Sequence, residues 1–150
     1  MPFIELLSAE RVRTGLVVRD KPELLGILAD LLAEGPDREA TREALVAREN
    51  LGSTGLSRGV AIPHGRSDGI EHARAAFVRL ARPVDFGADD GQPVDLVAAL
   101  VVPAHFTDQH LRLLAELAEL FSNRRITDAL RSAPNDDALH EVLRDSLRVS

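Results

Sequence analysis

Three side chains in this sequence have the type and setting for chemistry on an anion: His64, His110 and Arg48. His64 sits in "GVAIPHGR", residues 59–66, an apolar run that stops on proline, histidine and glycine. Val60–Ile62 read as a buried strand, Pro63 ends its hydrogen bonding, and Gly65 permits a sharp turn that leaves one side of the imidazole open. A ring held this way has little freedom to lose, and with an ordinary pKa of about 6.5 its neutral, nucleophilic form is available near pH 7. The stretch alone fits a loop histidine bonded to a carbonyl, a metal ligand or a nucleophile.

His110 is the third residue after Thr107, which reads as a helix N-cap. With Leu113, Leu114, Leu117 and Phe121 it falls on one helical face, of which it is the only polar member. The helix dipole there disfavours an imidazolium and favours a nearby anion, so a neutral ring donating N–H to a phosphoryl oxygen fits. So does a core histidine satisfied by one hydrogen bond. Arg48 closes a helix shortly before Ser53 and Thr54. A guanidinium and two hydroxyls are suited to a tetrahedral oxyanion, and equally to a surface arginine beside a polar turn.

The other histidines carry less. His72 falls in a polar loop, His140 in a terminal helix, and His105 precedes His110 by five residues, outside the i, i+4 spacing of a helical zinc site. A zinc site from His64, His105 and His110 has no spacing signature. No Gly-x-Ser-x-Gly elbow occurs, and "GSTGLSRG" lacks the Gly-Lys-Ser/Thr ending of a phosphate-binding Walker loop.

The elements that must position these residues follow from caps and periodicity. "FIELLSAERVRTGLVV" reads as a short opening segment leading to an extended piece at Leu16–Val18. Asp20 caps a helix with Pro22 in its first turn, Leu24, Leu28, Leu31 and Leu32 as its apolar stripe, and Gly35 at its end. A second helix runs from near Asp37 to Gly52, and "GSTGLSRG" follows as a loop. After the Pro63-His64-Gly65 break come a polar loop, "RSDGIEHA", and a strand, "RAAFVRL". Asp90-Gly91 signals a turn, predicting a hairpin into "VDLVAALVV", whose unbroken apolar character suits a central strand covered on both faces. Thr107 opens the helix of His110, and two short helices, "RRITDALRSA" and "DDALHEVLRDSL", finish the chain. These elements predict an α/β class: one domain over residues 1–150 with a mixed sheet flanked by helices.

Composition narrows the function. The 150 residues suit one core, and no apolar run approaches the roughly 20 residues that span a bilayer. The early acidic residues do not make a secretion signal, so the expected location is the cytoplasm, without membrane insertion. The absence of cysteine excludes disulfides and thiolate sites. A net charge of −6 argues against nucleic acid as a partner. Of the 18 basic residues all but Lys21 are arginine, the side chain that grips phosphates and carboxylates in bidentate fashion.

Two blocks carry a resemblance. "ARENLGSTGLSRGVAIPHGR", residues 47–66, resembles the active-site signature of the enzyme IIA domain of the fructose/mannitol class of the bacterial sugar phosphotransferase system. "QPVDLVAALVVPAHFTDQHLRLLAEL", residues 92–117, resembles that family's second block, where a histidine precedes Leu-x-x-Leu. The similarity runs from about residue 3 to residue 145, and the opening also resembles the free-standing, nitrogen-regulatory IIA branch. The resemblance implies the type-2 EIIA fold, a mixed, about five-stranded sheet flanked by helices. It also implies a phosphocarrier that needs no metal or organic cofactor. By the same resemblance His64 takes a phosphoryl group from an HPr-type phosphohistidine protein. His110 stabilises that group, Arg48 supplies active-site charge, and Ser53 and Thr54 match the Ser-Thr of the signature. The acceptor would be a regulatory target protein or, in a sugar-specific member, a IIB domain. A degenerate, unphosphorylated interaction module is the remaining alternative. Arg66 stands where the family commonly has lysine, and the sequence assigns it no role.

Overall fold

The alternation of apolar residues in two adjacent strands organises the molecule. In the computed structural model, which describes residues 2–147, the chain runs α1 (Phe3–Leu6), β1 (Val12–Leu16), α2 (Lys21–Leu32) and α3 (Pro36–Leu51). It continues through β2 (Val60–Ala61), β3 (His64–Ser67), β4 (Arg74–Val84) and β5 (Val94–Pro103) to α4 (Asp108–Ser122), α5 (Arg124–Ser132) and α6 (Asp136–Ser146). The five strands form one mixed sheet in the order β1-β4-β5-β2, with β3 also pairing β5. β4 and β5 are antiparallel, whereas β1 runs parallel to β4 and both β2 and β3 run parallel to β5.

Successive side chains of a strand face opposite ways, so β5 feeds two cores. Leu96, Ala98, Leu100 and Val102 pack with Phe77, Leu113, Leu117 and Phe121 in the layer of α4, α5 and α6. Val97, Ala99 and Val101 pack with Leu24, Leu28, Leu32 and Leu45 in the layer of α2 and α3. The unbroken run read as a central strand is therefore central because helices cover both of its faces. None of the described helices is long and apolar enough to cross a membrane.

The predicted hairpin is present, with Gly91 at φ 72° in the connection between β4 and β5. Asp20 caps α2 as read, its carboxylate accepting from the Glu23 N–H at 2.9 Å. Four local expectations need correction. Gly35 does not end α2, which stops at Leu32 with Ala33 as its C-cap; Gly35 instead stands at the N-cap position of α3. The first strand is Val12–Leu16 rather than Leu16–Val18, because Val12 and Arg13 align with Phe77 and Val78 of β4 while Val17 is left exposed. Thr107 occupies the N-cap position of α4 but its side chain caps nothing, since its backbone is already helical at φ −89° and ψ −56°. The largest change concerns the Pro-His-Gly break: His64–Ser67 is a strand, paired from His64↔Leu100 to Ser67↔Pro103. Pro63 interrupts the edge of the sheet between β2 and β3 without ending it, and its carbonyl accepts from the Leu100 N–H at 3.0 Å.

Candidate functional site

Strand β3 and the starts and ends of two helices gather the chemistry. β3 carries His64 and Arg66, the last turn of α3 carries Arg48, and the first turn of α4 carries His110. All four line an open cleft of about 770 Å³, whose walls are completed by Ala44, Ala47, Leu51, Ala104, Leu111 and Leu114 among others. Gly65 makes the close approach of α3 possible. A Cβ there would lie 2.8 Å from Ala44 Cβ and 2.9 Å from the Ala44 carbonyl carbon. The glycine is thus needed for packing against α3, not for the sharp turn its neighbours predict.

His64 is buried and its tautomer is legible. Nδ1 lies 2.8 Å from the Ile62 carbonyl oxygen. A carbonyl only accepts, so Nδ1 carries the hydrogen and, in the neutral ring, Nε2 keeps its lone pair. Burial holds the imidazolium below its ordinary pKa, with Arg48 adding to the effect, while the Ile62 carbonyl and the Glu49 charge oppose it. The ring is therefore neutral at pH 7.

His110 meets His64 edge-on, the ring centroids 5.1 Å apart and the planes at 76°. It too is buried, and its pKa is lowered to about 4, first by burial and then by the neighbouring His64 and Arg66 charges. Its Nε2 is buried with no hydrogen-bond partner. Such a polar atom costs about 1–3 kcal/mol when left unpaired, so an orphan at a helix start and in a cleft is poised for a ligand oxygen. Arg48 donates one N–H to the Gly52 carbonyl at 2.8 Å, which ties the helix end to the loop while its guanidinium lines the cleft.

Ser53 and Thr54 are not brought to the cleft. The Ser53 hydroxyl donates to the Phe86 carbonyl at 2.7 Å and accepts from the Gly55 N–H at 3.0 Å. The Thr54 hydroxyl donates to the Glu49 carboxylate, which also accepts from the Thr54 N–H. That carboxylate is buried and pairs with Lys21 Nζ at 2.7 Å, and Lys21 in turn donates to the Phe86 carbonyl and lies over the Phe86 ring. The two hydroxyls hold the loop that follows Arg48, leaving none free for an oxyanion.

His105 stays outside the cleft and packs edge-on against Phe106. Among the described residues no cluster of three or more histidine, aspartate or glutamate side chains is arranged to hold a metal. Sequence reasoning missed Arg66 and Glu49. Alternation from His64 would have put Arg66 on the same face had His64–Ser67 been read as a strand. The lone lysine and a glutamate at a helix end offer no pattern that pairs them.

Comparison with known proteins agrees with this architecture. Residues 5–146 match the family described as phosphoenolpyruvate-dependent sugar phosphotransferase system, EIIA 2. A nitrogen regulatory protein from Pseudomonas aeruginosa is 41% identical over 144 residues, covering 94% of each chain. The crystal structure of nitrogen regulatory protein IIA-Ntr from Neisseria meningitidis superposes with a TM-score of 0.85 at 38% identity, over 93% of this chain and 97% of that one. A complex of enzyme IIAMtl and phosphorylated enzyme IIBMtl from Escherichia coli shares the fold, with a TM-score of 0.78 at 21% identity over 93% and 97% of the two chains.

Proposed function

The chain belongs to the EIIA 2 family of the phosphoenolpyruvate-dependent sugar phosphotransferase system, and we propose that it is a regulatory phosphocarrier whose phosphoryl group rides on Nε2 of His64. The observation that carries the reading is the bond from Nδ1 to the Ile62 carbonyl, which leaves Nε2 as the free, unprotonated nitrogen beside the cleft. The donor is an HPr-type protein bearing a phosphohistidine. In the transfer its P–N bond breaks and a P–Nε2 bond forms on His64. The donor imidazole leaves with the electron pair. The hydrogen on Nδ1 stays where it is, so no general base is required. Its bond to the Ile62 carbonyl strengthens as the phosphorylated ring gains positive character.

Phosphoryl transfer asks a protein chiefly for position and for charge on the oxygens. His110 supplies the first contact: as the Nε2–H tautomer it donates to a phosphoryl oxygen, and its low pKa keeps it neutral while it does so. Arg48 supplies a guanidinium from the last turn of α3. Ser53 and Thr54 act at one remove, by holding the loop to which Arg48 is tied. The absence of cysteine accords with a cytoplasmic setting. Relatives named nitrogen regulatory proteins favour a target protein that reads the phosphorylation state over a sugar-permease IIB domain as the downstream partner.

Incubation with phosphoenolpyruvate, enzyme I and an HPr-type carrier tests the reading. The expected product is an acid-labile phosphoprotein labelled at His64, and His64→Ala should carry no label. A wild-type protein that stays unlabelled with a competent donor refutes it, and rapid passage of the label to a IIB domain would shift the assignment to sugar uptake.

A further inference from the structure

Arg66 occupies a position that the phosphocarrier reading does not use. Alternation along β3 puts it on the face that carries His64, roughly 6.7 Å further along the strand, with Gly65 between them facing α3. The register agrees: His64 and Arg66 lie beside Leu100 and Val102, which both point into the layer of α4. Arg66 lines the cleft from the sheet while Arg48 lines it from α3, and no carboxylate completes the lining.

What sets Arg66 apart is a free guanidinium in the cleft, where the other arginine of the lining, Arg48, is tied to the Gly52 carbonyl. Arg11, Arg58, Arg74 and Arg79 donate to backbone carbonyls, and Arg131 pairs with Asp95. Among the described residues no side-chain hydrogen bond or ion pair engages the Arg66 guanidinium, while its backbone pairs with β5. Its charge is felt instead by His110, whose imidazolium it helps to suppress. An unneutralised guanidinium beside two neutral imidazoles, on a chain of net charge −6, is a local anion attractor.

We propose that Arg66 is a catalytic residue of the transfer, its guanidinium engaging two phosphoryl oxygens as the group passes on to His64. The assignment rests on the phosphocarrier reading above. A phosphoryl group brings close to two negative charges at neutral pH, more than one guanidinium offsets. Arg48 from α3 and Arg66 from β3 both line the cleft, and the planar fork of arginine holds two oxygens where an ammonium would act as a point charge. The bonds broken and formed are those of the transfer itself, and Arg66 takes no proton.

Two donors separate contact with the phosphoryl group from docking of a carrier. Wild type, Arg66→Lys, Arg66→Ala and Arg66→Glu are phosphorylated by an HPr-type carrier and, separately, by phosphoramidate, which has no docking surface. With both donors Arg66→Ala should slow labelling about tenfold and Arg66→Glu about a hundredfold, at or below the ~10²–10³ typical of one preorganised buried donor. Arg66→Lys should fall between wild type and alanine. On the phosphorylated proteins, 31P titration should show the second ionisation of the phosphoryl group moving to higher pH in Arg66→Ala, a shift that a purely structural role would not produce. Wild-type rates with both donors in Arg66→Glu overturn the proposal, as does a slowdown confined to the carrier, which would make Arg66 a docking residue. A wild type that accepts from neither donor removes the phosphocarrier reading, and this assignment falls with it.

Discussion

Arg48 and Glu49 are adjacent in the chain and enter opposite kinds of polar environment. Glu49 turns into a closed network in which its carboxylate meets Lys21 and both the N–H and the hydroxyl of Thr54, while Lys21 and Ser53 converge on the Phe86 carbonyl. Arg48 turns the other way, into a cleft where His64 Nε2 keeps a lone pair and His110 Nε2 has no partner. Both regions are built from buried polar groups. One has spent its hydrogen-bonding capacity on the protein, and the other has kept it. Satisfied groups hold a structure, whereas unsatisfied ones remain available to a ligand, and the two side chains of one dipeptide divide these tasks.

The sharpest way to break that contrast is to remove the free group. His110→Ala should lower the rate of phosphoryl transfer to His64 by about 10²–10³, the usual cost of losing one preorganised donor. Labelling at His64 should still reach completion, and a rate within twofold of wild type would return His110 to the role of a packed core residue. On the closed side Glu49→Ala should act on stability. It strands Lys21, and breaking a buried pair costs about 3 kcal/mol or more, which in a chain of this size lowers Tm by roughly 6–12 °C. Because the Glu49 charge raises the pKa of His64, the same variant should also move the His64 titration to lower pH in NMR.

Acid should weaken the open side through its two histidines. His110 titrates near 6.5 when unfolded and at about 4 when folded, so the unfolded chain binds the extra proton first. Its contribution is present in full above pH 6.5, is lost as pH falls toward about 4, and changes no further below that. His64 is shifted in the same direction and adds to the slope. Denaturant melts of wild type and His110→Gln between pH 7 and 4 should differ in slope, and parallel curves would remove His110 as the cause.

Smaller effects test the frame around the cleft. Gly65→Ala forces a methyl group against Ala44 and should cost about 1–3 kcal/mol, read from denaturant midpoints. It should also slow labelling, by pushing α3 and Arg48 away from β3. Thr107→Ala should change stability by less than about 0.5 kcal/mol, since the side chain caps nothing. A loss of a full cap, about 1 kcal/mol, would show that Thr107 is bonded in solution.

Particular residues show which signals the sequence holds. The Asp20 cap, the apolar run of β5 and the helical face of His110 are local or periodic patterns, and each is present in the fold, the face with Leu120 buried and Leu114 half-buried at the cleft. The pairing of His64 with His110 is legible as two separate settings, a rigid segment and a helix start. Their contact at 5.1 Å arises because β3 lies beside β5 and the chain passes from β5 directly into α4. Strand β3 itself is illegible because proline and glycine are local breakers, and only the pairing with β5 overrides them. Gly65 has the same explanation: its role is set by Ala44, twenty-one positions earlier in the chain.

The sequence by itself determined where α2, α5 and α6 begin, the central strand, and which side chains carry reactive groups, because these depend on neighbours within a few positions. The tertiary structure alone decided which polar groups would be satisfied. Ser53 and Thr54 carry the right atoms for an oxyanion, yet the Phe86 carbonyl and Glu49 take them. Arg66 has no local signature, yet strand alternation puts it in the cleft beside His64. Hydrogen-bond satisfaction is a property of what the fold brings within about 3 Å, and residues far apart in the chain can settle it only once they meet.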